Sequence, residues 1–233
     1  MNLNEFSSGF DTQLNSYMLA AGYGEDATRA TVQLDEYTKS LLLTQAQEDI
    51  VIELYQSFEV KEEIRRYLSN LVKDATLEPD SGSASTGISG SSKFFKLPDD
   101  LWFITYESVT ANGGKCGDGQ NMEVIPVTQD EYNKLRKNPF RGANERRALR
   151  LDLSDDTIEI VCKYNVAAYY LRYLRKPSPI ILIDLPDGLS IKNKDTESKC
   201  ELHEALHQRI LDRAVALALQ NSRNFRTSNN NNA

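Results

Sequence analysis

Histidine, cysteine and long apolar runs are all scarce in this sequence, and each shortage removes a class of function. Only two histidines occur in 233 residues, His203 and His207. The three cysteines, Cys116, Cys162 and Cys200, are too few and odd in number for a disulfide framework and fit a reducing cytoplasm. No stretch approaches the ~20 apolar residues needed to cross a bilayer. The start, MNLNEFSSGF, has neither the basic n-region nor the apolar h-region of a secretion signal. Basic charge is also in deficit, with 27 Lys and Arg against 34 Asp and Glu for a net −7. A duplex-wrapping surface is disfavoured, because phosphate binding is driven by Lys and Arg. No serine stands in a nucleophile-elbow context, and no Cys/His pairing suggests a thiol hydrolase. What is present is 40% hydrophobic and 26% charged. That is enough for one good core, or one core with a smaller appended layer.

Periodicity divides the chain into helical ends and a β middle, an α+β class. Leu3, Phe6, Phe10, Leu14, Tyr17 and Met18 recur at three- and four-residue steps, predicting a helix over 3–21 that Gly22 and Gly24 end. The apolar run 41–43 reads as a short strand or helix lead-in. Thr44 with Gln47 resembles a capping box opening a helix to about Phe58. A third helix is expected over 61–73. The stretch 80–92, DSGSASTGISGSS, reads as a flexible loop. From Lys93 the period shortens to two, predicting strands near 94–97, 101–107, 122–127, 149–153, 158–164 and 169–174. Thr128 and Glu131 predict a capped helix stopping near Pro139, and the run 180–183 is read as closing an antiparallel, sandwich-like meander. Ser198 and Glu201 predict the cap of a last helix reaching Asn221, which packs with the first helices as a bundle. The domains expected are 1–79 helical, 80–92 loop, 93–197 mainly β, 198–221 helix and 222–233 disordered tail.

The sharpest motif is His203-Glu204-Ala205-Leu206-His207, which fits H-E-x-x-H. Zinc proteases use that spacing because residues four apart share a helix face, with the glutamate activating the metal-bound water. A catalytic zinc needs a third protein ligand. Asp212 lies ~140° round the helix from His207, and Cys200 lies ~10 Å along the axis from it. The alternative reading places both histidines in an apolar stripe of Leu206, Ile210, Ala214 and Leu217, a packing face rather than a metal site. The segment 113–119 lacks the order of a phosphate loop and reads as a hairpin tip. Arg146 and Arg147, and Arg172, Arg175 and Lys176, are local basic clusters that suit salt bridges at subunit contacts.

Two segments carry a resemblance: Lys96-Leu97-Pro98-Asp99-Asp100-Leu101-Trp102-Phe103-Ile104, and the run from Tyr169-Tyr170-Leu171-Arg172-Tyr173-Leu174-Arg175-Lys176-Pro177 through 180–185 to the terminal helix. In that order they resemble head–tail connector proteins of short-tailed bacteriophages. Leu34-Asp35-Glu36-Tyr37 and 43–51 narrow the resemblance to the ring proteins of crAss-like phages. It spans 32–219. It implies a non-enzymatic, cofactor-free and metal-free virion protein at the head–tail junction, assembled in the bacterial host cytoplasm. It implies a ring, commonly of twelve copies, below the portal. Such a ring meets portal and other tail proteins, and its acidic wall passes DNA without binding it, aiding genome retention and ejection. Leu206, Ile210, Ala214 and Leu217 are then the candidate assembly face. Arg223, Phe225 and Arg226 are the candidate portal-contacting residues of the tail, with an inert tail as the alternative. Another tail-tube, hub or capsid-associated role and, more remotely, a zinc hydrolase using the HEALH helix are the competing readings.

Overall fold

Among the described residues, three-to-four spacing builds five α-helices and alternation builds seven strands. The structure, a computed structural model, describes residues 1–20, 34–58, 61–80, 87–113, 119–154, 156–186 and 188–230, with Ala20 and 222–230 by backbone alone. The expected helix terminators Gly22 and Gly24, residues 81–86 of the Ser/Gly loop, the tip 114–118 and the last three residues lie outside the described residues. The chain divides into two units. One comprises residues 1–71 with 177–233, and the other residues 72–176.

The first unit is helical. Helix α1 (Leu3–Ala20) buries Leu3, Phe6, Phe10 and Leu14, as its spacing predicts. Helix α2 (Glu36–Tyr55) begins eight residues before the expected cap. Asp35 is its N-cap, accepting from the Thr38 backbone N–H at 3.1 Å. Thr44 is instead a buried mid-helix residue, and the run 41–43 is helical. Helix α3 (Glu62–Tyr67) stops six residues short of the expected end, passing through a 3-10 turn at Ser69–Leu71. Helix α5 (His207–Asn230) packs against α2 and α1. Gly9 permits that approach, because a Cβ there would stand 2.9 Å from Leu211 Cδ2.

The described residues of 177–203 are not part of any sheet. Ile180, Ile181 and Leu182 are buried against the helices instead of closing a meander, with Ile181 bridged only to Ser198. Side chains one helical turn apart on α2 hold this extended backbone. Ser40 Oγ accepts from Leu182 N–H at 3.0 Å. Thr44 Oγ1 accepts from Ile180 N–H at 3.0 Å and donates to its carbonyl at 3.3 Å. Gln47 Nε2 donates to the Ser178 carbonyl at 2.8 Å. These bonds satisfy a buried backbone that has no ladder partner. Residues 191–194 close a tight turn with Lys192 at φ 52° and Asn193 at φ 62°.

Lys39, also on α2, is fully buried. Its ammonium donates to Asp11 Oδ2 at 2.7 Å and Ser7 Oγ at 3.2 Å on α1, and to Glu36 Oε1 at 2.9 Å. Burial works against the charge, yet the hydrogen bonds to the two carboxylates outweigh it and raise the pKa above that of an ordinary lysine.

The second unit holds a curled seven-stranded sheet. Its strands are β1 (Val72–Leu77), β2 (Ser92–Lys96), β3 (Leu101–Asn112), β4 (Gln120–Pro126), β5 (Arg147–Asp152), β6 (Thr157–Val161) and β7 (Asn165–Arg175), in spatial order β1-β7-β3-β4-β5-β6-β2. The sheet is mixed rather than an antiparallel meander, because β4 and β5 run parallel. Parallel neighbours need a crossover, and the connection 127–146, carrying α4 (Gln129–Leu135), supplies it. Thr128 and Glu131 form the capping box that the sequence predicts. Curling brings Phe95 of edge strand β2 to 5.5 Å from Tyr169 of β7. One face then buries Phe95, Val109, Met122, Ile158, Ile160 and Leu171, while the other packs Leu149, Leu151 and Val161 on Tyr132 of α4.

Two polar clusters pin the sheet. Arg150 Nη1 lies 2.9 Å from both Glu107 carboxylate oxygens, and Tyr169 Oη donates to Glu107 Oε2 at 2.7 Å. Burial pushes both the Glu107 carboxyl and the Tyr169 phenol up. Asp100, in the 98–100 turn, accepts from Lys73 Nζ at 2.6 Å and Tyr173 Oη at 2.8 Å. Burial and the Asp100 carboxylate push the Tyr173 phenol to about 12.

Candidate functional site

The HEALH segment does not lie on one helix. His203 precedes the helix: its Nδ1 accepts from Ala205 N–H at 3.2 Å and caps a 3-10 turn at Glu204–Leu206, after which α5 begins at His207. Ser198 and Glu201 do not cap it. Ser198 pairs its backbone with Ile181, and the Glu201 carboxylate accepts from the N–H and hydroxyl of Ser178, each at 3.0 Å. The local reason is that 198–203 hydrogen-bond outward to residues 178 and 181 and leave the i, i+4 pattern unfilled. The shared helix face required of both histidines therefore does not form.

The two imidazoles also have different surroundings. His203 is exposed, its ring 5.3 Å from that of Tyr67. His207 is buried, its ring 5.4 Å from Phe6. Its Nε2 lies 3.1 Å from the Leu202 carbonyl, which can only accept, so that nitrogen carries the proton. Nδ1 then accepts from the Met1 ammonium at 2.7 Å. Burial, then the positive charge of Met1, lowers the His207 pKa. Both ring nitrogens of His207 are thus engaged, and the one lone pair that a metal could take faces the Met1 ammonium. Cys200 Sγ donates to Gln47 Oε1 at 3.3 Å, and burial pushes its thiol up to about 11, so the reactive thiolate is suppressed. Among the described residues no group of three or more His, Cys, Asp and Glu could hold a metal ion.

Leu206, Ile210 and Ala214 are buried within the chain's own helical unit, and Leu217 is half-buried. Intramolecular packing occupies the part of that face formed by Leu206, Ile210 and Ala214. Arg223, Phe225 and Arg226 belong to α5, which runs to Asn230 rather than ending near Asn221 in a disordered tail. The segment contains no Gly or Pro to stop a helix already propagating from a packed stem. Their side chains lie outside the described atoms. Arg172 donates to Tyr170 Oη at 3.2 Å, and Arg147 to the Phe140 carbonyl at 3.2 Å. These two basic side chains brace local structure.

On α5 and α2, Arg213 is bound to Asp49 (Nη2 to Oδ2, 2.8 Å) and Arg209 to Glu53 (2.5 Å). These four paired side chains, with Ile50, Ile52, Gln56 and Asp212, line a groove of about 580 Å³. Ile52 remains 43% exposed in it. The groove thus sets an exposed apolar side chain among ion-paired charges. Periodicity could not reveal it, because it depends on which helices meet. No helix among the described residues is long and apolar enough to cross a membrane.

Comparison with known proteins gives a consistent result. Residues 1–231 match the family model described as phage tail ring protein 3/4. The chain is 46% identical over 230 residues to "Ring protein 3" of Bacteroides phage crAss001, covering 94% of this chain and 95% of that protein. It is 30% identical over 234 residues to "Ring protein 4/5" of the same phage, covering 94% and 92%. A family model spanning nearly the whole chain, joined by two full-length relatives, shows that this chain belongs to the phage tail ring protein 3/4 family.

Proposed function

We propose that this protein is a structural subunit of the virion of a crAss-like phage. About twelve copies form a ring at the head–tail junction below the portal, continuing the DNA channel and helping to retain and release the genome. The observation that carries the reading is the full-length match to relatives named as ring proteins. The net charge of −7 supports it, since an acidic wall keeps passing DNA from sticking. The histidine geometry also favours a structural over a hydrolytic role, because His207 is fully hydrogen-bonded inside a core. The helices of the first unit act as the packed bundle of each subunit, with Arg223, Phe225 and Arg226 at the end of α5 as the portal-facing residues.

Phage lacking this chain should fill heads yet yield tail-less particles that lose their DNA. Particles with intact tails and retained genomes in its absence would overturn the proposal.

A further inference from the structure

The charge of the chain is unevenly placed. The helical unit has 12 basic against 19 acidic residues, a net −7, whereas the sheet unit has 15 against 15 and is neutral. Within that neutral unit, residues 134–147 (KLRKNPFRGANERR) carry six basic residues and one acid. Lys134, Arg136, Lys137, Arg141 and Arg146 are exposed, and none has an ion-pair partner among the described residues. At the centre of this basic surface stands Phe140, 85% exposed, the most exposed large apolar side chain among the described residues.

The loop that presents Phe140 is held rigidly. Asn138 Oδ1 accepts from the N–H of Phe140 at 2.9 Å and of Arg141 at 3.2 Å. Gly142 N–H bonds the Asn138 carbonyl at 2.8 Å, and Arg147 clamps the Phe140 carbonyl. Gly142 is required there, because a Cβ would stand 2.7 Å from the Leu135 carbonyl and 2.8 Å from that of Asn138. Pro139 fixes its own φ immediately before the aromatic residue. A preorganised aromatic residue among unpaired cations has the composition of a binding anchor.

We propose that the Phe140 loop docks into the α2–α5 groove of a second copy of this chain. This rests on the ring reading above. The groove offers the complementary surface: exposed Ile52 for the ring, and Asp212, the lining carboxylate outside the Asp49–Arg213 and Glu53–Arg209 ion pairs, for a guanidinium of the basic loop, on a unit with net −7. The contact is heterologous, a knob on the sheet unit of one copy against a groove on the helical unit of the next. Repetition of such a contact closes a ring when the rotation permits.

The test is photo-cross-linking in virions carrying p-benzoylphenylalanine in place of Phe140, imaged in parallel by electron microscopy. The expected product is a covalent dimer, twice 26.3 kDa, whose junction peptide lies in 49–56 or 209–213. Ring-bearing particles whose residue 140 cross-links only to DNA, to a different protein, elsewhere on this chain, or to nothing would overturn the docking. Particles showing no ring of this chain would overturn the ring assignment itself. Phe140→Ala should leave the melting temperature of the isolated chain unchanged, because its ring contacts solvent. It should also weaken copy-to-copy association about 10- to 100-fold, the effect of exposing one large apolar side chain. Unchanged association would contradict the proposal.

Discussion

Replacing Lys39 by methionine tests how the helical unit is held together. Lys39 is buried and makes three hydrogen bonds, two of them to carboxylates at 2.7 and 2.9 Å. Methionine matches its length and apolar stem while deleting the ammonium. Asp11 and Glu36 would then face each other without a cation. Removing one partner from a fully buried ion pair costs about 3–5 kcal/mol. The two carboxylates retain 26% and 27% exposure, so water can recover part of that, leaving about 2–3 kcal/mol. For a chain of this length that lowers Tm by about 5–10 °C. Differential scanning calorimetry at neutral pH reads it directly. The shift should fall on the transition of the helical unit, should the two units melt separately. The Lys39 pKa is raised, so its stabilisation is complete below the unfolded value near 10.5 and is lost as pH rises through the folded one. The wild-type advantage over Lys39→Met should therefore shrink above about pH 10.5. A change under 1 °C, or a more stable methionine variant, would refute the reasoning.

Three further outcomes follow from buried polar groups. Thr44→Val keeps shape but strands the buried Ile180 N–H, costing about 1–3 kcal/mol in urea unfolding; no loss would mean that the segment 177–182 is not held through α2. Glu107→Ala leaves the Arg150 guanidinium buried with Asp152 as its remaining carboxylate neighbour, at 3.0 Å. It should cost about 3–5 kcal/mol, and adding Arg150→Met should recover much of it; strictly additive losses would deny the coupling. The His207 pKa is lowered, so the unfolded chain takes up its proton first and stability falls as pH drops from about 6.5 toward the folded value. His207→Gln should flatten the Tm profile between pH 7 and 5, and an unaltered slope would remove His207 as its source.

The readable parts of this fold were those where local pattern and tertiary role agree. Helix α1, the Thr128–Glu131 capping box and the alternating strands β5 to β7 sit where their spacing predicts, since in each the local pattern agrees with the side chains the core buries. Thr44 and Gln47 misled because a capping box and a buried side-chain ladder use the same residue types, and the bonds to 178–182 arise between segments over 130 residues apart. Strand β1 was unreadable for another reason. As an edge strand reading VKDATL, it has few apolar residues and takes its conformation from pairing with β7. Nor does periodicity distinguish a parallel from an antiparallel neighbour, which hid the β4–β5 pairing. For HEALH the motif implied a helix, whereas hydrogen bonds from Ser198 and Glu201 to the 178–181 segment delay the helix until His207. Phe140 stood in plain sequence, but only its exposure and its clamped loop set it apart from a core aromatic residue.

The most direct test of the central claim is electron cryo-microscopy of the virion, with this chain located by its own side-chain density. The expected result is a closed ring of copies of this chain, about twelve, coaxial with the portal at the head–tail junction. Finding the chain absent from the particle, or present there outside any ring, would contradict it.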